Sequence, residues 1–405
     1  MKINRITLLG HKDHGKSTLI GNLLIKTGSV SEQRISEAKR ISAELNKPFE
    51  PGFILDSFEE ERREGLTIDT TRVQLKYKDA AFEFIDVPGH EELIKNMLSG
   101  ASYADFALAV VSAASDEGIK DQTKRHIYIA DLIGINRIII AVNKMDKIDY
   151  DEKIFNDIKA SLLNYFSKVG INKRNIIFIP ISAYNGENII EHSSKMEWYK
   201  GEPLIDLLYN QSKKKQKRSK HLTALIQGSI DKDGEQLISG KVLTGKLSEG
   251  DSVIVYPENF EDKIEKIFVG GKERKVAKAG NDIVLKTSEE NRTINNKIIS
   301  EKSNPDIKIS NNAEVLLFFV NEIRDNLKIK IYNTEIPCTV EVIKSINTST
   351  GDMFEDNKPR VLEAATAKLH FQNNIIYTQF NSNKELGKFL LYSEDTFIGL
   401  GKIKE

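Results

Sequence analysis

Two hydrophobic periods divide the chain. In its first half, short apolar-rich runs recur at 3–9, 82–85, 107–111, 137–142 and 176–181. Short runs dominated by apolar residues are the pattern of strands buried in a parallel sheet. Between them lie stretches of helical spacing at 18–24, at 121–130, in a short segment at 202–208, and at 31–41, where Ile35, Ala38 and Ile41 share a stripe. Strands alternating with helices predict a mostly parallel α/β domain over 1–211. Beyond residue 220 the period falls to two. The segments 223–228, 238–243 and 252–256 read as short strands with Gly-containing turns, and a further set follows at 315–320, 328–332, 338–343, 367–371, 375–380, 389–392 and 397–403. That pattern predicts two antiparallel β-barrels, over 221–305 and 309–405. The basic run from Lys213 to Lys220 falls in the joining segment, 212–220. With no aromatic residue interleaved for base stacking, it reads as a solvated linker rather than an RNA contact.

Composition narrows the class. The 405 residues exceed one ordinary core, and 40% hydrophobic with 29% charged residues fits a globular chain. Lys and Arg balance Asp and Glu at 59 each, so net charge gives no argument for a nucleic-acid or membrane partner. The single cysteine, Cys338, offers neither an internal disulfide nor a cysteine metal cluster, and a reducing cytoplasm is the expected compartment. The N-terminal stretch has no signal-peptide apolar region and no apolar run approaches a membrane span.

The chemistry begins where the first strand ends. Gly10-His11-Lys12-Asp13-His14-Gly15-Lys16-Ser17, followed by Thr18 and a helical stretch, is the strand–loop–helix pattern that cradles phosphates. Its glycines let backbone N–H groups turn inward, the helix N-terminus favours anions, Lys16 reaches terminal phosphates, and the Ser17 hydroxyl suits Mg²⁺. The charged segment from Asp56 to Asp69 lies where a nucleotide-sensing loop is expected, and Thr67 is a second candidate Mg²⁺ ligand. Asp86-Val87-Pro88-Gly89-His90 follows the 82–85 strand. There Asp86 is placed for the Mg²⁺ shell, Gly89 for a close backbone approach to the γ-phosphate, and His90 for the attacking water. Asn143-Lys144-Met145-Asp146 ends the 137–142 strand. A carboxylate at Asp146 accepts from both guanine N1–H and N2, Lys144 packs its stem over the ring, and Asn143 ties the loop back to the phosphate loop. Ser182-Ala183, after the last strand, offers a backbone N–H to guanine O6. His126, His221 and His370 have no accompanying pattern and read as structural.

These motifs resemble the translational GTPase superfamily over nearly the whole chain. The resemblance implies GTP and GDP as ligands, Mg²⁺ as the metal, a histidine at His90 that orients water, and a metal-binding threonine at Thr67. The stretch from Gly240 to Asp251 resembles the second-domain barrel of the same superfamily. Two branches are nearest in pattern: elongation factor 1-alpha and the GTPase subunit of sulfate adenylyltransferase. The helical insert before Asp56 and Met196-Glu197-Trp198-Tyr199-Lys200-Gly201 are similar to both. The 121–126 and 143–150 segments look more like the sulfate-activating branch. The third domain, from Glu301 on, holds 13 Lys/Arg against 15 Asp/Glu and lacks the apolar run and His-Thr pair with which tRNA carriers of the family tend to open it. The resemblance therefore implies a regulatory GTPase working with an adenylyltransferase catalytic subunit. The alternatives are an elongation factor delivering aminoacyl-tRNA to the ribosome and a switch for another assembly. One departure stands out. The family carries a small apolar residue, part of a gate around the catalytic histidine, where this chain has Lys12. The polar stretch 347–360 is either a partner-contact loop or a disordered connection.

Overall fold

The computed structural model describes residues 3–44, 46, 48–55, 72–86, 104–135, 137–214, 219–232, 235–288, 297–332, 334–355 and 359–404. They form two compact units, Met1–Lys215 with Asn347–Asp352, and Gln216–Ile346 with Met353–Glu405. Among the described residues no helix is long and apolar enough to cross a membrane.

The first unit is built on a six-stranded sheet. Its strands are β1 (Ile3–Leu9), β2 (Arg72–Tyr77), β3 (Ala80–Asp86), β4 (Phe106–Ser112), β5 (Ile138–Asn143) and β6 (Ile176–Pro180). They run in the order β2-β3-β1-β4-β5-β6, all parallel except β2, which is antiparallel to β3. Every residue of β4 and β5 is buried, as expected of strands covered on both faces. The chain lays β2 and β3 on one side of β1 and β4 on the other. The order therefore reverses at β1, and the crevice at the carboxyl end of such a strand is where ligands of open α/β sheets bind.

Five helices among the described residues cover this sheet: α1 (Lys16–Lys26), α2 (Glu32–Glu44), α3 (Asp121–Leu132), α4 (Glu152–Val169) and α5 (Leu204–Lys213). α1 buries Leu19, Ile20, Leu23 and Leu24 in one core with Ala38 of α2 and Leu204, Ile205 and Leu208 of α5. α4 is capped by Asp151, whose side chain accepts from Ile154 N, and stops at Gly170 (φ 77°). It buries Phe155, Leu162, Phe166 and Val169 along one stripe. Tyr165 on the same helix donates to the Thr348 carbonyl (2.6 Å), and Lys168 pairs with Asp352 (3.2 Å). The start of the 347–360 stretch is thus ordered against α4. α5 runs on to Lys213, two residues past the boundary expected at 211.

The β2–β3 hairpin is pinned to α5. Tyr77 Oη and Lys78 Nζ both donate to Asp206 (3.1 and 2.8 Å). Asp79 accepts from Tyr209 Oη (2.7 Å) and Lys213 Nζ (2.5 Å). The Tyr77 and Tyr209 rings meet edge to face.

The second unit contains two closed six-stranded antiparallel barrels. Strands β7 (Thr223–Lys232), β8 (Glu235–Thr244), β9 (Lys246–Ser248), β10 (Ser252–Tyr256), β11 (Phe260–Val269), β12 (Lys272–Glu273), β13 (Val276–Lys278), β14 (Asp282–Thr287) and β15 (Ile298–Glu301) make the first. Its sheet runs β10-β15-β7-β8-β14-β11 and closes through β10–β11. Strands β16 (Ile307–Phe319), β17 (Leu327–Ile331), β18 (Thr334–Ile346), β19 (Met353–Phe354), β20 (Ala364–Thr378), β21 (Lys388–Ser393) and β22 (Thr396–Ile403) make the second, closed through β17–β18. The two strands expected at 367–371 and 375–380 are one, β20. Its exposed Gln372-Asn373-Asn374 continues the strand rather than turning it, because β16 pairs with it on both sides of a bulge. Neither barrel histidine is alone. His221 Nδ1 lies 2.5 Å from Glu301, and His370 Nε2 2.8 Å from Glu341. Burial pushes the Cys338 thiol up to about 11, which makes it inert.

Candidate nucleotide-binding site

The loop after β1 sits in the crevice between β1 and β4. Gly10 has φ 132°, and a Cβ there would lie 2.4 Å from the Val110 carbonyl oxygen of β4. Gly15 has φ 85°, and its Cβ would lie 2.5 Å from Asn143 Nδ2. Both positions need the left-handed backbone and the missing side chain that only glycine provides. α1 then opens at Lys16 with no side-chain cap on its first N–H groups. Uncapped donors beside a loop this tight suit an anion. Lys16 Nζ donates to the carbonyls of Gly10 (3.0 Å) and His11 (3.1 Å), so its ammonium is held over the loop.

The loop's other side chains are held from outside it. His14 is fully buried, with Nδ1 3.2 Å from the Val110 carbonyl. A carbonyl only accepts, so Nδ1 carries a proton. Burial pulls its pKa from 6.5 to about 4. His11 Nδ1 lies 2.6 Å from Gln122 Oε1 of α3, and His11 Nε2 lies 3.6 Å from Asp13. Ser17 and Thr18 occupy the first turn of α1.

Three loops converge on Asn143, the last residue of β5 and 2% exposed. Its Nδ2 donates to the His14 carbonyl and its Oδ1 accepts from Ala183 N, each at 2.8 Å. The expected tie to the phosphate loop is therefore made, and a second tie comes with it. It takes up the Ala183 N–H, one of the backbone donors of the Ser182-Ala183 pair, because a buried amide oxygen must find its own donor. Asp146 stands beside this knot. Ser182 Oγ donates to its Oδ1 (2.5 Å), leaving Oδ2 for a ligand. Lys144 adopts φ 65°, and its Nζ pairs with Glu117 Oε1 (2.5 Å). Partial burial alone would raise Glu117, but hydrogen bonds from Lys144 and Ser112 hold its carboxyl below the usual range. Asn22 of α1 adds a further tie, donating to the Ala183 carbonyl (2.8 Å).

Glu117, Gln122 and Asn22 were not singled out in the sequence. Glu117 alone left a signal, as a carboxylate in the loop that follows a buried strand. Gly10 to Thr18 are thus brought together with Asn143, Lys144, Asp146, Ser182 and Ala183. Asp86 closes β3 beside Leu8 of β1, and its side chain lies outside the described residues, as do Thr67, Gly89 and His90.

Residues 1–229 match the family model for the elongation factor Tu GTP binding domain. Residues 320–404 match that for the GTP-eEF1A C-terminal domain-like family. The chain is 30% identical to elongation factor 1-alpha of Natronomonas pharaonis, over 98% of this chain and 96% of that protein. It is 29% identical to elongation factor 1-alpha of Halobacterium salinarum, over 98% and 97%. In fold it is similar to the S. cerevisiae Ski7 GTPase-like domain bound to GDP and inorganic phosphate, with a TM-score of 0.50 and 18% identity over 99% of this chain and 97% of that one.

Proposed function

The chain belongs to the elongation factor Tu GTP-binding family, and from that premise we propose that it is a GTP-hydrolysing translation factor of the elongation factor 1-alpha type, handing aminoacyl-tRNA to the ribosome under control of its nucleotide. GTP and GDP are the ligands of this family, and Mg²⁺ is the metal typical of it.

The observation that carries the reading is Asn143. One buried amide joins the phosphate loop, through the His14 carbonyl, to the Ser182-Ala183 loop beside Asp146. Phosphate and base ends of one guanine nucleotide are then held by a single piece of structure. In this reading Lys16 and the first N–H groups of α1 bind the β- and γ-phosphates. Asp146 accepts from guanine, and Lys144 covers the ring while Glu117 holds its ammonium. Ser17 and Thr67, with Asp86 through water, hold Mg²⁺, which offsets charge on the phosphates when bound. His90 orients the attacking water. The similarity to elongation factors runs through both barrels, which supports assigning them to the tRNA and the ribosome.

That similarity also sets the reading above the one that pairs the chain with an adenylyltransferase catalytic subunit. The net negative charge from Glu301 to Glu405, 13 basic against 15 acidic residues, still favours a partner other than tRNA and keeps that second reading open to test. The experiment is protection of the aminoacyl ester of a charged tRNA against spontaneous hydrolysis. Protection with a non-hydrolysable GTP analogue but not with GDP is expected. No protection in either state, with GTP-stimulated adenylyl sulfate formation on adding the adenylyltransferase subunit, would overturn the translation reading.

A further inference from the structure

We infer that Lys12 is a second phosphate-loop cation for the terminal phosphate of GTP, separating GTP from GDP and assisting hydrolysis. The inference rests on the GTP reading above and adds a residue to it.

Around the loop, His11 meets Gln122, Asp13 meets His11, His14 meets the Val110 carbonyl, and Lys16 meets two loop carbonyls. Lys12 is exposed, and its side chain makes no hydrogen bond or ion pair among the described residues. Its acidic neighbour, Asp13, faces His11 instead. Lys12 also directly follows the residue whose carbonyl holds Lys16 Nζ. Consecutive Cα atoms are about 3.8 Å apart. From there a flexible four-carbon stem brings its ammonium to the same end of a bound polyphosphate. An ammonium there gains from each added phosphate charge, and most where water is excluded.

In hydrolysis, water's oxygen bonds to the γ-phosphorus and the bond to the β,γ-bridging oxygen breaks. Its electron pair stays on GDP, and water's proton leaves with inorganic phosphate. Lys12 offsets the charge that builds on the γ-oxygens and the leaving oxygen, the part a cation supplied by the same chain plays in phosphoryl transfer. A merely solvated surface lysine does neither.

The test compares wild type, Lys12→Met and Lys12→Arg. Affinities for GDP and for a non-hydrolysable GTP analogue are read by equilibrium titration, and GTP hydrolysis by single turnover. Lys12→Met should keep GDP affinity within about twofold, which also shows that the loop is folded. It should weaken the GTP analogue about five- to tenfold and slow hydrolysis at least tenfold, and Lys12→Arg should recover most of both. Equal weakening of GDP and the GTP analogue would overturn the inference, as would unchanged analogue affinity and rate. Wild type binding neither nucleotide would overturn the GTP reading itself, and this inference with it.

Discussion

Asn143→Ala is the substitution in which the site's architecture is most exposed. The amide is 2% exposed and makes two bonds of 2.8 Å, one to the His14 carbonyl and one from Ala183 N. Alanine removes both partners at once. Each buried polar group left unpaired costs about 1–3 kcal/mol. The pair then comes to about 2–6 kcal/mol, and water entering the vacated space brings it toward the lower end, about 3 kcal/mol. Because the two orphaned groups belong to the phosphate loop and the Ser182-Ala183 loop, that cost falls on the state in which both loops grip one ligand. At 1.36 kcal/mol per tenfold, GDP affinity should fall by somewhat more than a hundredfold. The assay is titration with a fluorescent GDP analogue, alongside thermal unfolding of the GDP-bound protein, where a drop of several degrees is expected. GDP affinity within threefold of wild type would refute the claim that one side chain unites the two halves of the pocket.

Other outcomes follow from the same geometry. Asp146→Asn should weaken GTP and favour xanthosine triphosphate, because an amide complements the carbonyl that xanthine carries in place of the N2 amine; unchanged preference in competitive titration would remove Asp146 from base reading. His90→Ala should leave GTP affinity intact and slow partner-stimulated hydrolysis on the order of 10²-fold or more, and equal single-turnover rates would dismiss it. Burial lowers the His14 pKa from 6.5 to about 4, so the unfolded chain takes up this proton first. Its contribution is complete above about pH 6.5 and is lost as pH falls through about 4, roughly 3 kcal/mol in all. Urea midpoints between pH 7 and 4.5 should fall less steeply for His14→Gln, and an unaltered slope would contradict the buried neutral ring.

Sequence reading succeeded where local pattern and tertiary role coincide. β4 is almost wholly apolar and β5 is apolar up to Asn143 because both faces are covered, and each glycine of the phosphate loop marks a backbone that only glycine tolerates. It failed where the partner is distant along the chain. The His221–Glu301 pair is separated by 80 residues and the Lys144–Glu117 pair by 27, and no local spacing announces either. Strand β11 was missed because charged residues alternate with Ile264 and Ile267, and only barrel closure shows which face is inside. β20 was split in two because Gln372-Asn373-Asn374 has the composition of a turn, though it forms a bulge and β16 pairs with the strand on both sides of it. At the site, the bond from Ala183 N to Asn143 Oδ1 joins residues 40 apart, a pairing that needs three dimensions to see.

The pinned hairpin bears on the two segments at its ends. Residues 56–71 lead into β2 at Arg72, and 87–103 leave β3 after Asp86. Arg72 is in register with Ile85, so the one segment arrives and the other departs at neighbouring points on a frame bolted to α5. Both therefore share a common root. The entropy of bringing that root together is fixed once, by the hairpin, and does not change with what either segment does next. A one-residue insertion in the Lys78-Asp79 turn that slipped the register would turn every side chain of one strand to the opposite face and displace one root relative to the other. Length at this turn should tolerate change far less than its exposed position suggests.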